Sequence, residues 1–138
     1  MKALATCSNL RDLALPEIRH ISKAALLQVA QGCHALERLN LHDTEMTDAV
    51  VGEFARHCPN LRIVVFSKCP NLTMQAVTSL TTLEKVESIY LQGCSQLKDK
   101  EAVLDRFLAA KKGGQTCQQL TRLELYTAYE IAKAAKKG

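Results

Sequence analysis

Six cysteines and an adjacent His42-Asp43 pair are the residues of this 138-residue chain best equipped for chemistry. Thiolates could hold zinc, close disulfides or attack an electrophile, and an imidazole beside a carboxylate could move a proton. The spacing argues against each. No Cys-x-x-Cys and no His-x-x-x-His pair occurs, so the usual tetrahedral zinc signatures are missing. His42 and Asp43 are neighbours on an expected strand, where successive side chains point to opposite faces. There is no Gly-x-Ser-x-Gly elbow and no phosphate-cradling glycine loop. The expectation is a protein that is not an enzyme, with no cofactor, no metal and no small-molecule substrate.

The N-terminal run Met1–Cys7 is followed at once by Asn9, Arg11 and Asp12, which breaks any secretory apolar core. No stretch reaches the roughly 18–20 apolar residues that span a bilayer. A cytoplasmic protein without membrane contact is expected, a mitochondrial location being the alternative. Disulfides rarely persist in such reducing compartments.

The cysteines instead mark a repeat. Cys7-Ser-Asn-Leu10-Arg-Asp-Leu13-Ala-Leu15 is matched by Cys33-His-Ala-Leu36-Glu-Arg-Leu39-Asn-Leu41 and by Cys58-Pro-Asn-Leu61-Arg-Ile-Val64-Val-Phe66. Leu83-Glu-Lys-Val86-Glu-Ser-Ile89-Tyr-Leu91 and Cys117-Gln-Gln-Leu120-Thr-Arg-Leu123-Glu-Leu125 complete the series. Each phrase reads as a short strand. After each of the first three, an N-cap residue (Ser22, Thr47, Thr73) opens a helical pattern, through Leu26, Val29 and Ala30, then Val51, Phe54 and Ala55, then Val77 and Leu80.

A single strand-turn-helix unit cannot bury its own apolar faces; stacked units can. The chain is therefore expected to be α/β: a leucine-rich-repeat solenoid of about five units, with a parallel concave sheet and outer helices. One domain over residues 1–138 is expected, its units starting near 7, 33, 58, 83 and 117.

Cys58-Pro59-Asn60-Leu61, Cys69-Pro70-Asn71-Leu72 and Met46-Thr47-Asp48 resemble the cysteine-containing leucine-rich repeats. These occur in F-box-type substrate receptors of ubiquitin ligases and in proteins like the antagonist of the mitotic exit network. The resemblance implies a small inward-packed residue, usually Cys or Asn, at each strand end, where it hydrogen-bonds the turns. Ile18, Thr44, Cys69, Cys94 and Ala128 hold that position here, and an incomplete ladder of turn contacts follows, because only two of the five conform.

Two departures stand out. The fourth unit runs 34 residues, from Leu83 to Cys117, and its surplus falls in 101–116, a longer helix through Val103, Leu104, Phe107 and Leu108 followed by Lys111-Lys112-Gly113-Gly114. The ends form the second departure. Met1–Thr6 reads as the tail of an outer helix, so the first layer is expected to need a neighbour, and Tyr129–Gly138 reads as a polar helical cap.

Charge is uneven as well. Residues 1–97 carry nine Lys/Arg and nine Asp/Glu, whereas residues 98–138 carry nine and five.

Residues alternating with the buried strand positions should line the concave face in four columns. They are Asp12, Arg38, Ile63, Ser88, Arg122; Ala14, Asn40, Val65, Tyr90, Glu124; Pro16, His42, Ser67, Gln92, Tyr126; and Glu17, Asp43, Lys68, Gly93, Thr127. Arg and Tyr often dominate interface energetics. The expected partner-binding residues are Arg38, Asn40, His42, Lys68, Tyr90, Gln92, Arg122, Glu124 and Tyr126. The function expected is a protein-protein interaction module, an adaptor or structural subunit of a larger assembly. Two alternatives are the substrate-recognition part of a ubiquitin ligase and a ribonucleoprotein subunit with its basic C-terminal region on RNA. Three Tyr, three Phe and no Trp leave few stacking platforms for the latter.

Overall fold

Each repeat supplies three residues in extended conformation whose central apolar side chain is drawn inward while its neighbours face out. In the computed structural model, which describes residues 8–15, 18 and 20–127, five such strands form one sheet in the order β1-β2-β3-β4-β5. They are β1 (Asp12–Ala14), β2 (Arg38–Asn40), β3 (Ile63–Val65), β4 (Ser88–Tyr90) and β5 (Arg122–Glu124). All pairs are parallel, and Leu13, Leu39, Val64, Ile89 and Leu123 share one register. Four helices return the chain from strand to strand: α1 (Lys23–Gly32), α2 (Asp48–His57), α3 (Met74–Leu80) and α4 (Lys100–Lys112). Each packs on the next. This is the α/β leucine-rich-repeat-like solenoid the periodicity predicts, with one apolar layer between sheet and helices. Among the described residues no helix is long and apolar enough to cross a membrane.

The layer is filled by register. Leu36, Leu39, Leu41 and Met46 are buried, as are Leu61, Val64, Phe66 and Leu72, and then Val86, Ile89, Leu91 and Leu97. From the helices come Leu26, Val29 and Ala30, then Val50, Val51 and Phe54, then Ala76, Val77 and Leu80. The expected longer helix through Val103, Leu104, Phe107 and Leu108 forms as α4, in which Val103 and Phe107 are buried while Leu104 and Leu108 are exposed. The reason is positional: within the described residues α4 has a helical neighbour, α3, on one flank only.

Two of the three expected caps form. Ser22 accepts from the Ala25 N–H and Thr73 from the Gln75 N–H, whereas the Thr47 hydroxyl is buried without a partner. Asp99 caps α4 by accepting from the Ala102 N–H at 3.0 Å. Asp48, in the first turn of α2, accepts the Thr73 N–H at 2.8 Å and the Thr73 hydroxyl at 2.5 Å, which ties two helix starts together.

The five described cysteines are buried and serve as small donors. Cys69 Sγ donates to the Leu41 carbonyl at 3.3 Å and Cys94 Sγ to the Phe66 carbonyl at 3.1 Å, so each turn is tied to the strand end of the unit before it. Thr44 donates to the same Leu41 carbonyl at 2.7 Å and lies 3.7 Å from Cys69 Sγ. The Thr44 bond closes its own turn, so a side-chain tie back to the preceding strand end is made at Cys69 and Cys94 and not at Thr44. Ile18, at the equivalent place, is exposed. At the opposite end of the strands, Cys58 Sγ donates toward the carbonyls of Cys33 (3.3 Å) and Ala30 (3.5 Å). Cys117 Sγ does so toward Thr81, at 3.6 Å. Burial pushes the thiols of Cys58 and Cys94 up to about 12 and about 11. Cys7, Ala128 and the expected terminal segments 1–6 and 129–138 lie outside the described residues.

The long fourth unit is absorbed locally. Helix α4 has 13 residues against 7 in α3, and Gly113 and Gly114 end it, Gly114 in the left-handed region at φ 83°. The Cys117 N–H then donates to the Leu83 carbonyl at 3.1 Å, and the Thr121 and Arg122 N–H groups share the Glu87 carbonyl. The same paired donation recurs at Arg11, Glu37 and Arg62, so register is regained before β5 begins.

Candidate protein-interaction face

Parallel pairing places the expected columns side by side on the face away from the helices. Asp12, Arg38, Ile63, Ser88 and Arg122 run across the sheet as one row, and Ala14, Asn40, Val65, Tyr90 and Glu124 as the next. Five of the nine expected residues, Arg38, Asn40, Tyr90, Arg122 and Glu124, therefore stand on the strands themselves. His42, Gln92 and Tyr126 follow two residues beyond the strand ends, with Ser67 between His42 and Gln92 in the same row. Pro16 and Glu17 lie outside the described residues.

The fourth column is different from the expectation. Asp43 (φ 56°), Lys68 (φ 58°) and Gly93 (φ 80°) occupy the left-handed position of successive turns, so Lys68 belongs to the rim of the face and not to its strand rows. The turn forces a conformation only glycine adopts without cost. At Gly93 a Cβ would also meet the Lys68 side chain at 3.0 Å, so the lysine stem lies over the glycine.

Side-chain bonds organise the face. The His42 N–H donates to Asn40 Oδ1 at 3.1 Å, and the Ser67 hydroxyl donates to Gln92 Oε1 at 2.7 Å. Arg122 Nη1 lies 3.5 Å from Glu124 Oε1. Ile63, Val65 and Tyr90 are half-buried, forming an apolar centre on adjacent strands, whereas Tyr126 is 48% exposed.

One feature was not anticipated: a row of alternating charge one residue ahead of the strands. Arg11 Nε lies 3.6 Å from Glu37 Oε2, Arg62 Nη1 3.4 Å from Glu37 Oε1, and Arg62 Nε 2.5 Å from Glu87 Oε2. Hydrogen bonding to Glu87 raises the Arg62 pKa, and the same bond lowers that of Glu87. Its signal was present in the repeat, since Arg11, Glu37, Arg62 and Glu87 share one register position with alternating sign.

Other reactive groups are dispersed. His57 Nε2 pairs with Glu53 Oε2 at 3.0 Å on α2, and His34 Nδ1 meets the His57 carbonyl at 2.8 Å. Among the described residues no group of three or more His, Cys, Asp or Glu could hold a metal ion. In the basic C-terminal region, Lys100 donates to the Leu97 carbonyl, Lys111 to the Leu120 carbonyl and Arg106 to the Thr78 hydroxyl. With Arg122 paired to Glu124, four of the six described cations there have partners within the fold.

No protein-family model matches the chain. Among solved structures, the tropomodulin C-terminal domain of Caenorhabditis elegans is similar, with a TM-score of 0.71 at 13% identity, covering 99% of this chain and 91% of that one. Leiomodin-1 actin-binding site 2 is similar with a TM-score of 0.60 at 8% identity, covering 99% and 89%. At such identities the likeness is one of fold. It corrects the resemblance to F-box-type receptors and antagonist-of-mitotic-exit-network-like proteins, since these two neighbours are a tropomodulin and a leiomodin domain. The physical reason lies in the thiols. Any repeat needing a small buried donor at its turn is served by cysteine, or by threonine as at Thr44, so cysteine spacing reports packing and not kinship.

Proposed function

We propose that this chain is a non-catalytic protein-interaction module, an adaptor or structural subunit, which engages a protein partner through the strand-lined face. The observation that carries this reading is the composition of that face. Ile63, Val65 and Tyr90 form a half-buried apolar centre, and polar groups already tethered to one another surround it. An apolar centre within a polar rim is the anatomy of protein interfaces, where a few aromatic and arginine side chains contribute most of the affinity. The fold likeness to a domain named as an actin-binding site supports a binding role and makes actin the first defined partner to assay.

The test compares the parent with a Tyr90→Ala, Arg122→Glu double variant. Purified actin, monomeric and filamentous, is assayed first, and then partners captured from native cells with and without nuclease. Loss of the captured partner in a variant with unchanged circular dichroism is the expected result. Undiminished capture would move the interface off this face, and capture abolished by nuclease would favour RNA.

A further inference from the structure

Resting on that reading, the chemistry of the face narrows the kind of partner. Asn40 Oδ1 accepts from a backbone N–H, that of His42 at 3.1 Å, which fixes the amide's orientation and leaves its NH2 donors for the face. The Ser67 hydroxyl is buried and its proton needs an acceptor; Gln92 Oε1 supplies it at 2.7 Å, so Gln92 also keeps its NH2 group. Ahead of these rows, Glu37 and Glu87 are held by Arg62 at 3.4 and 2.5 Å; within the rows, Asp12 on β1 stands across from Arg38, and Glu124 on β5 across from Tyr90. Arg38 stands exposed at the edge of the apolar centre, and its guanidinium makes no hydrogen bond among the described residues. Strands β2, β3 and β4 and the residues just beyond them therefore present the amide donors of Asn40 and Gln92 to the face, and the one charged residue on these three strands is Arg38.

We infer that this face takes an acidic, extended segment of a partner protein, with one aliphatic or aromatic side chain on Ile63, Val65 and Tyr90 and its oxygens on Arg38, Asn40 and Gln92. Burying donors without acceptors would oppose binding, so the segment must bring carboxylate or main-chain oxygens to them. A carboxylate also forms a two-pronged bond with an arginine fork. Side chains on one face of an extended segment recur about every 7 Å. An Asp or Glu two positions from the apolar anchor thus reaches Arg38 when the anchor sits on Val65. A basic segment would meet Arg38 with like charge and leave the amide donors unpaired.

The experiment is selection of a random linear peptide library displayed on phage against the folded full chain, followed by binding of the best peptide as a synthetic probe. Enriched peptides should carry Asp or Glu two residues from a Leu, Ile, Val, Phe or Tyr. The probe should lose about tenfold or more in affinity to Arg38→Glu and to Tyr90→Ala. Arg38→Lys should retain part of the binding, and Lys112→Glu, on the exposed end of α4, should leave it unchanged. Peptides without acidic enrichment that still lose affinity to Tyr90→Ala would overturn the acidic segment and leave the face as the interface. Peptides indifferent to both Arg38→Glu and Tyr90→Ala would overturn both readings. Failure to enrich any peptide would show that a linear segment is not what the face takes.

Discussion

At the residue scale, the thiols explain themselves by what they donate to. Cys58 and Cys94 sit in the apolar layer with their protons on carbonyls of the preceding repeat. Burial moves them from an ordinary 9.0 to about 12 and about 11. The folded state therefore holds these protons more tightly than the unfolded chain does. The stability they lend is whole below pH 9 and drains as pH rises from there through the folded values. Thermal melts should be flat from about pH 6 to about pH 8 and fall above pH 9, with a shallower alkaline fall in Cys58→Ala. A melt that stays level into alkali would contradict the buried-donor role. The hydroxyl of Thr47 is the opposite case, buried with nothing to bond. Thr47→Val should be neutral or stabilise by up to about 1 kcal/mol in urea titrations, because it removes an unsatisfied polar group at constant shape. Ser22, Thr47 and Thr73 are alike in sequence. Pattern alone could not say that one of the three leaves its cap unmade.

At the scale of elements, the Arg11–Glu37–Arg62–Glu87 row braces the strand entrances without entering the apolar layer. Arg62→Glu would line up three carboxylates, and the urea midpoint should fall at low salt and recover as salt screens the repulsion. Recovery that is absent at high salt would mean that Arg62 acts through packing of its stem and not through charge. The buried periodicity marks strand positions and their alternates, and this row precedes the strand, so that pattern does not reveal it. Helix α4 offers a paired comparison. Phe107→Ala should cost about 3–5 kcal/mol, whereas Leu108→Gln should stay within about 0.5 kcal/mol, since only the first side chain is buried. Equal losses would show that Leu108 is covered. Helical spacing places Leu104 and Leu108 on the helix but does not say which side chains are covered; among the described residues α4 packs on a helix, α3, on one flank.

At the scale of the molecule, the stack stands or falls on its middle layers. Leu39→Ala and Leu61→Ala should each cost about 2–5 kcal/mol, read as a drop in the denaturant midpoint. A variant that unfolds with the parent would refute the register. The fold and the strand rows were legible in the sequence because one period governs strand, turn and helix together, so each repeat corroborates the others. The face lining was legible for residues such as Arg38, Asn40 and Tyr90, whose places follow from alternation alone. Lys68 was not, because its turn demands a left-handed backbone that no side-chain pattern announces. Kinship was misread for a related reason, since the same small donor suits any solenoid of this kind.

The even register has one more consequence, which concerns time. Every strand finds its partner in the unit next along the chain, so no pairing waits for distant segments to meet. Assembly can begin at any adjacent pair of repeats and spread outward. The longer passage from Leu83 to Cys117 adds only about 0.3 kcal/mol of closure entropy over its shorter neighbours. The loop at Gly113–Thr116 is therefore a place where the chain can be lengthened at almost no thermodynamic cost, and β5 would still arrive in step.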